Sequence, residues 1–146
     1  MTRIDFYLLS DAATVNRSLF TCRLADKIYT MGHRLYIHTA SHEQAAELDG
    51  LLWTFSAGFL PHDLYDAEPD ANTPIQIGYS DNPSLTHSAD PDKEVLINLT
   101  ATVPSFFSRF SRVAEIVDQD EVNKQKARER FRFYRDRGYT LESHTI

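Results

Sequence analysis

The chain has a single cysteine, five glycines in 146 residues and fewer cations than anions, and each shortage excludes something. With Cys22 alone there is no intramolecular disulfide, so the fold must rest on a core rather than on cross-links. Uninterrupted apolar runs reach only a few residues, far short of the ~20 that span a bilayer. The polar start "MTRID" lacks the apolar stretch of a secretory signal, so a cytoplasmic protein is expected. Lys and Arg number 15 against 21 Asp and Glu, a net charge of −6. That balance argues against a general nucleic-acid coat, whose affinity comes from neutralising phosphates.

Glycine is also missing from "LLSDAATVN", which follows the first strand-like segment. Without it the backbone cannot approach a pyrophosphate closely, and Asp11 repels one, so nucleotide binding is not expected. His33, His38, His42, His62, His87 and His144 are scattered, with no HExxH run and no paired cysteines to complete a metal site. His38 and His42 stand four apart but straddle a strand end and a helix cap. No G-x-S-x-G elbow is present, and Cys22 occupies an apolar helical position that suits a small core residue better than a nucleophile. The acidic stretch "DLYDAEPDAN" reads as solvated loop. The expectation is no catalytic residues, no cofactor site and no metal site.

What is present is a 42% hydrophobic chain of a size that buries one core, read as a single domain over residues 1–146. "IDFYLLS" reads as a buried strand and "TVNRSLFTCRLADKIYTMGH" as an amphipathic helix carrying Val15, Leu19, Cys22, Ala25, Ile28 and Tyr29, stopped at Gly32. "RLYIHTA" is a second strand. Ser41 and Gln44 form a capping box that opens a second helix. "FLPHDLYDAEPDANTP" is loop, "IQIGYS", "EVLINLT" and "VAEIVD" are strands, and "PSFFSRFSRV" is a short helix entered through Pro104. A long basic helix runs from Asp120 to about Arg137, with Gly138 at its C′ position. Strands alternating with helices give an α/β fold of three Rossmann-like layers, a mostly parallel sheet flanked by helices.

Two stretches suit binding surfaces. In "LLWTFSAGFLPHDL", Trp53, Phe55, Phe59, Leu60 and Pro61 crowd a helix end and the loop after it, in part as core, with Trp53 and Phe59 as candidate interface anchors. In "KQKARERFRFYRDRGYTL", seven cations against Glu129 and Asp136 make residues 124–137 +5, leaving −11 on the rest of the chain. At 100° per residue Lys124, Arg128, Arg132 and Arg135 share one helix face with Phe131. Lys126, Arg130 and Arg137 fall on another face, read as solvated or as complementing the helix C-terminus. The first face is a solvated basic helix end, a pocket for an acidic, apolar-tipped peptide floored by Phe131 and Tyr139, or a phosphate contact for DNA.

The order and spacing of "FYLL", "LW", "FLPHDL", "VLINL" and "ARERFRFYRDRGYTL" resemble the chi subunit of bacterial DNA polymerase III holoenzyme along essentially the whole chain. The resemblance implies a non-catalytic accessory subunit on a Rossmann-like fold that does not bind nucleotide. It implies two partners: a small psi subunit that ties it to the clamp loader, and the acidic, Pro-Phe-ended tail of the single-stranded-DNA-binding protein. Carried onto this sequence, the tail site uses Lys124, Arg128, Phe131 and Arg132, with Arg135, Gly138 and Tyr139 close by and Val117 lining the apolar slot. Phe131 stands where relatives can carry Tyr, which removes a hydroxyl contact. The psi-facing surface takes Trp53, Phe59, Leu60 and Pro61. A direct DNA-binding module and an enzyme with an unrecognised site are the alternatives.

Overall fold

Runs such as "EVLIN" and "IQIG" are buried at every position, polar residues included, as in strands covered on both faces. In the computed structural model, which describes residues 2–10, 16–55, 62–64, 75–79 and 94–146, these runs form an all-parallel sheet. The described elements are β1 (Arg3–Leu8), α1 (Arg17–Thr30), β2 (Arg34–His38), α2 (His42–Phe55), β3 (His62–Leu64), β4 (Ile75–Gly78), β5 (Glu94–Asn98), β6 (Arg112–Val117), α3 (Glu121–Asp136) and β7 (Thr140–Thr145). The strand order is β3-β4-β2-β5-β6-β1-β7. Two apolar clusters occupy the two faces. One joins α1 and α2 to the sheet through residues such as Cys22, Ala25, Leu48, Leu52, Ile97 and Ile116. The other joins α3 through Phe6, Leu96, Phe107, Val113, Val117 and Tyr134. The three-layer expectation holds, and Cys22 is a core residue whose thiol burial pushes up to about 11.

The helices begin and end where local chemistry dictates. Asn16 caps α1, its side chain accepting from the Leu19 N–H at 2.8 Å. The Ser41 hydroxyl accepts from the Gln44 N–H at 3.1 Å while Gln44 reaches back to the Ala40 N–H at 2.8 Å, the reciprocal cap read from the sequence moved by one residue. Asp120 caps α3 by accepting from the Asn123 N–H. Both α1 and α3 end in the same motif. Gly32 and Gly138 sit at φ +82°, a left-handed conformation that a Cβ disfavours. Their N–H groups donate back to Tyr29 and Arg135, and the next residues, His33 and Tyr139, donate to Ile28 and Tyr134.

Four expectations are corrected. "PSFFSRFSRV" is not an α-helix; only Phe107–Arg109 makes one 3-10 turn, and the backbone is already extended at Phe110 and enters β6 at Arg112. His62–Leu64, read as loop, forms a short strand beside β4. No element is expected from the sequence at "TLESHT", which forms β7: it is mostly polar and exposed because, among the described residues, it is an edge strand paired with β1 alone. Arg130, placed on a solvated face, is buried.

Candidate functional site

Side-chain parity along the strands sorts the sheet residues. On β6, Val113, Glu115 and Val117 point toward α3, while Ala114 and Ile116 point toward α1 and α2. Glu115 is therefore carried into the interior beneath α3, fully buried. Three donors meet it: Arg130 Nε at 2.9 Å, Asn98 Nδ2 at 3.0 Å and the Tyr134 hydroxyl at 2.8 Å. Arg130 also donates to the Ala101 carbonyl at 3.1 Å. Burial pushes the Glu115 carboxyl up, opposed by the Arg130 charge and the donors. The same burial, with the Glu115 charge beside it, pushes the Tyr134 hydroxyl up. This cluster fixes α3 against β5 and β6, and it spends Arg130 on doing so.

With α3 held at that rotation, its other side overhangs the carboxyl ends of β1 and β6. There Val117, Lys124, Arg128 and Phe131 line a groove of about 300 Å³, closed by Phe6, Leu8, Leu9, Ala127 and Ser143. Ligands of open parallel sheets bind at this end of the strands. The half-buried Phe131 ring meets Phe6 edge-on at 5.4 Å, so its position is set by the core and not by a ligand. Arg128 is exposed and, among the described residues, has no ion-pair partner; Lys124 makes only a 3.7 Å contact to the highly exposed Glu121. Asp118 also lines the groove, but its carboxylate accepts from Asn123 Nδ2 at 3.0 Å and from the Asp120 N–H at 3.2 Å. The groove thus pairs an apolar floor with two available cations and one acid already engaged. That combination can hold an anion carrying an apolar group.

Comparison with known proteins decides the family. A family model described as "DNA polymerase III chi subunit, HolC" matches residues 1–142. The chain is 43% identical to the DNA polymerase III subunit chi of Pseudomonas aeruginosa, over 100% of this chain and 98% of that protein. It is 30% identical to the proteins of the same name from Haemophilus influenzae (97% and 96% covered) and Escherichia coli (99% of each). This chain belongs to the DNA polymerase III chi subunit family.

Membership gives a replication accessory subunit as the coarse role. Of the residues that the chi resemblance nominates for a tail site, Val117, Lys124, Arg128 and Phe131 come together in the groove. Arg132 is exposed one turn beyond Arg128 and does not line it. Arg135 is exposed and paired with Asp136 at 3.2 Å. Gly138 supplies the left-handed turn after α3, and the partly buried Tyr139 packs on Phe107 at 5.1 Å, against the core cluster rather than on the groove floor. Phe6, Leu8, Leu9, Ala127 and Ser143 escaped the sequence analysis. Ala127, three residues after Lys124, carried a helical signal; the others reach the groove only through strand order.

Of the residues expected to face a psi-like partner, Trp53 is 55% exposed near the end of α2. Phe59, Leu60 and Pro61 lie outside the described residues. Histidine enters one cluster after all: His144 Nε2 lies 3.0 Å from Asp5, near Glu142. Both Asp5 oxygens are already taken, Oδ1 by His144 and Arg3 and Oδ2 by Arg112 at 2.5 Å, so a cation would have to displace guanidinium groups. Burial alone raises the Asp5 carboxyl, but the bonds from His144 and Arg112 and the charges of Arg112 and Arg3 hold it below its ordinary value.

Proposed function

We propose that this chain is a non-catalytic accessory subunit of DNA polymerase III. Through a psi-like partner it links the clamp loader to the acidic, Phe-ended tail of the single-stranded-DNA-binding protein. The observation that carries the tail site is the groove at the carboxyl ends of β1 and β6, where Arg128 and Lys124 flank the ring of Phe131 over an apolar floor. Cations there make charge-assisted bonds to Asp side chains or to the terminal carboxylate, and the terminal ring stacks against Phe131. Arg132 and Arg135 lie on the tail's path further along the helix. The psi-like partner takes the exposed Trp53 as an anchor. The acidic remainder of the chain disfavours direct binding to DNA.

A fluorescent tail peptide titrated by anisotropy tests the tail site. An affinity on the order of micromolar is expected, roughly −8 kcal/mol, weakening with salt because the charges are partly exposed. Arg128→Ala should weaken binding about tenfold, since a lost charged hydrogen bond costs about 1.5–3 kcal/mol. Equal affinity of wild type and variant, or undiminished binding of a peptide lacking its last Phe, places the tail elsewhere.

A further inference from the structure

The sheet has a second cavity, on the face away from α3 and at the opposite, amino ends of β1 and β6. It has a volume of about 340 Å³, within the ~300–1,000 Å³ typical of small-molecule sites, and lies between the C-terminal half of α1 and the sheet. Its origin is readable from the strands. Ala114 offers only a methyl group on the face where Ile116 fills the space further along β6, so α1 stands off from the sheet there. Leu24, Ile28, Val95 and Ala114 make the wall apolar, and the ring of Tyr7 forms one side.

The rim is cationic. Arg3, Arg112 and Lys27 border the opening, with His33 at the turn that ends α1. Two acids face this group: Asp5, bound by Arg3 and Arg112, and Glu142, bound by Arg3 at 2.6 Å. Three cations against two carboxylates leave a surplus, and Lys27 has no ion-pair partner among the described residues. Two polar atoms on the rim are also unsatisfied: Arg3 Nε and His33 Nδ1 are both buried without a hydrogen-bond partner. Buried polar groups are nearly always partnered, so such atoms beside a cavity mark where a ligand's polar end belongs. Neither belongs to the α3 groove.

We propose that this cavity is a binding site for a small organic carboxylate with an apolar body, such as an aryl or short alkyl acid. The body fills the space left by Ala114, and the carboxylate sits at the rim, accepting from Arg3 Nε and from the Lys27 ammonium. The site is independent of the tail groove, and the two are separable by experiment.

The test is a calorimetric titration of the full chain with 4-phenylbutyrate and with the neutral 4-phenylbutanol, in parallel with the variants Lys27→Ala, Met31→Glu and Arg128→Ala. Lys27 and Met31 are both exposed, so their replacement leaves the fold intact. Saturable binding of the acid, at least fivefold weaker in Lys27→Ala, abolished in Met31→Glu and unchanged in Arg128→Ala, supports the site. A peptide ending in Phe that competes for the same heat would assign the carboxylate to a chain terminus instead of a free acid and overturn the small-molecule assignment. No saturable heat up to about 10 mM, a range far weaker than any specific site of this kind needs, overturns the proposal. So does equal binding of the alcohol, or loss of binding in Arg128→Ala.

Discussion

Arg128 and Arg130 sit two residues apart on one helix and look interchangeable in the sequence, yet they belong to different regions of the molecule. Arg130 turns inward to Glu115, and its side chain is 7% exposed. Arg128 turns outward onto the groove. A helix advances about 100° per residue, so two positions separate by about 200°. Which of the two directions is the interior depends on where Glu115 stands, a matter of β6 and not of α3. The basic stretch therefore serves two purposes: one arginine orients the helix, and the cations on the other side are offered to a partner.

The contrast is sharpest in stability. Arg130→Ala leaves Glu115 buried with its charge uncompensated, and breaking a buried pair in this way costs about 3–5 kcal/mol. Urea unfolding should show that loss, while Arg128→Ala should stay within about 0.5 kcal/mol of wild type, as exposed substitutions do. If both variants unfold alike, the division between inner and outer cations is wrong.

A second ion-pair cluster tests whether buried acids on the other face behave similarly. Asp5 is held below the ordinary carboxylate value by His144, Arg112 and Arg3 against its burial. Between the two values the unfolded chain binds the proton more readily, so stability rises with pH there. The contribution is complete above about pH 4 and is lost as the pH falls through the lower, folded value. Asp5→Asn should therefore flatten the acid limb of a stability–pH curve; an unchanged limb would remove Asp5 from the account.

Gly138→Ala probes how the helix is ended and not how it is rotated. A Cβ there meets no neighbouring atom, so the cost is conformational, about 1 kcal/mol for a left-handed residue. Differential scanning calorimetry should show a small drop, with tail affinity kept because Gly138 does not line the groove. The smallest effect belongs to Trp53→Ala. With more than half its surface exposed, its removal should change stability by about 0.5 kcal/mol or less, and co-purification with a psi-like partner should fall selectively. A collapse in melting temperature would make Trp53 a structural residue.

The sequence by itself determined the alternation of elements, the caps at Ser41 and Gly138, the core role of Cys22 and the clustering of Lys124, Arg128 and Phe131 on one helical face. These follow from periods of two and 3.6 residues and from turn chemistry, which act over a few neighbours. The tertiary structure alone decided that Arg130 is interior, that Tyr139 packs against the core and that "TLESHT" is a strand. It also brought Phe6, Leu9 and Ser143 to the groove. Each of those depends on which strand lies next to which. A buried charge looks the same in the chain as a solvated one until its partner, 15 residues earlier on β6, is placed beneath it. An edge strand buries too little to leave a hydrophobic trace, so only its pairing with β1 reveals it.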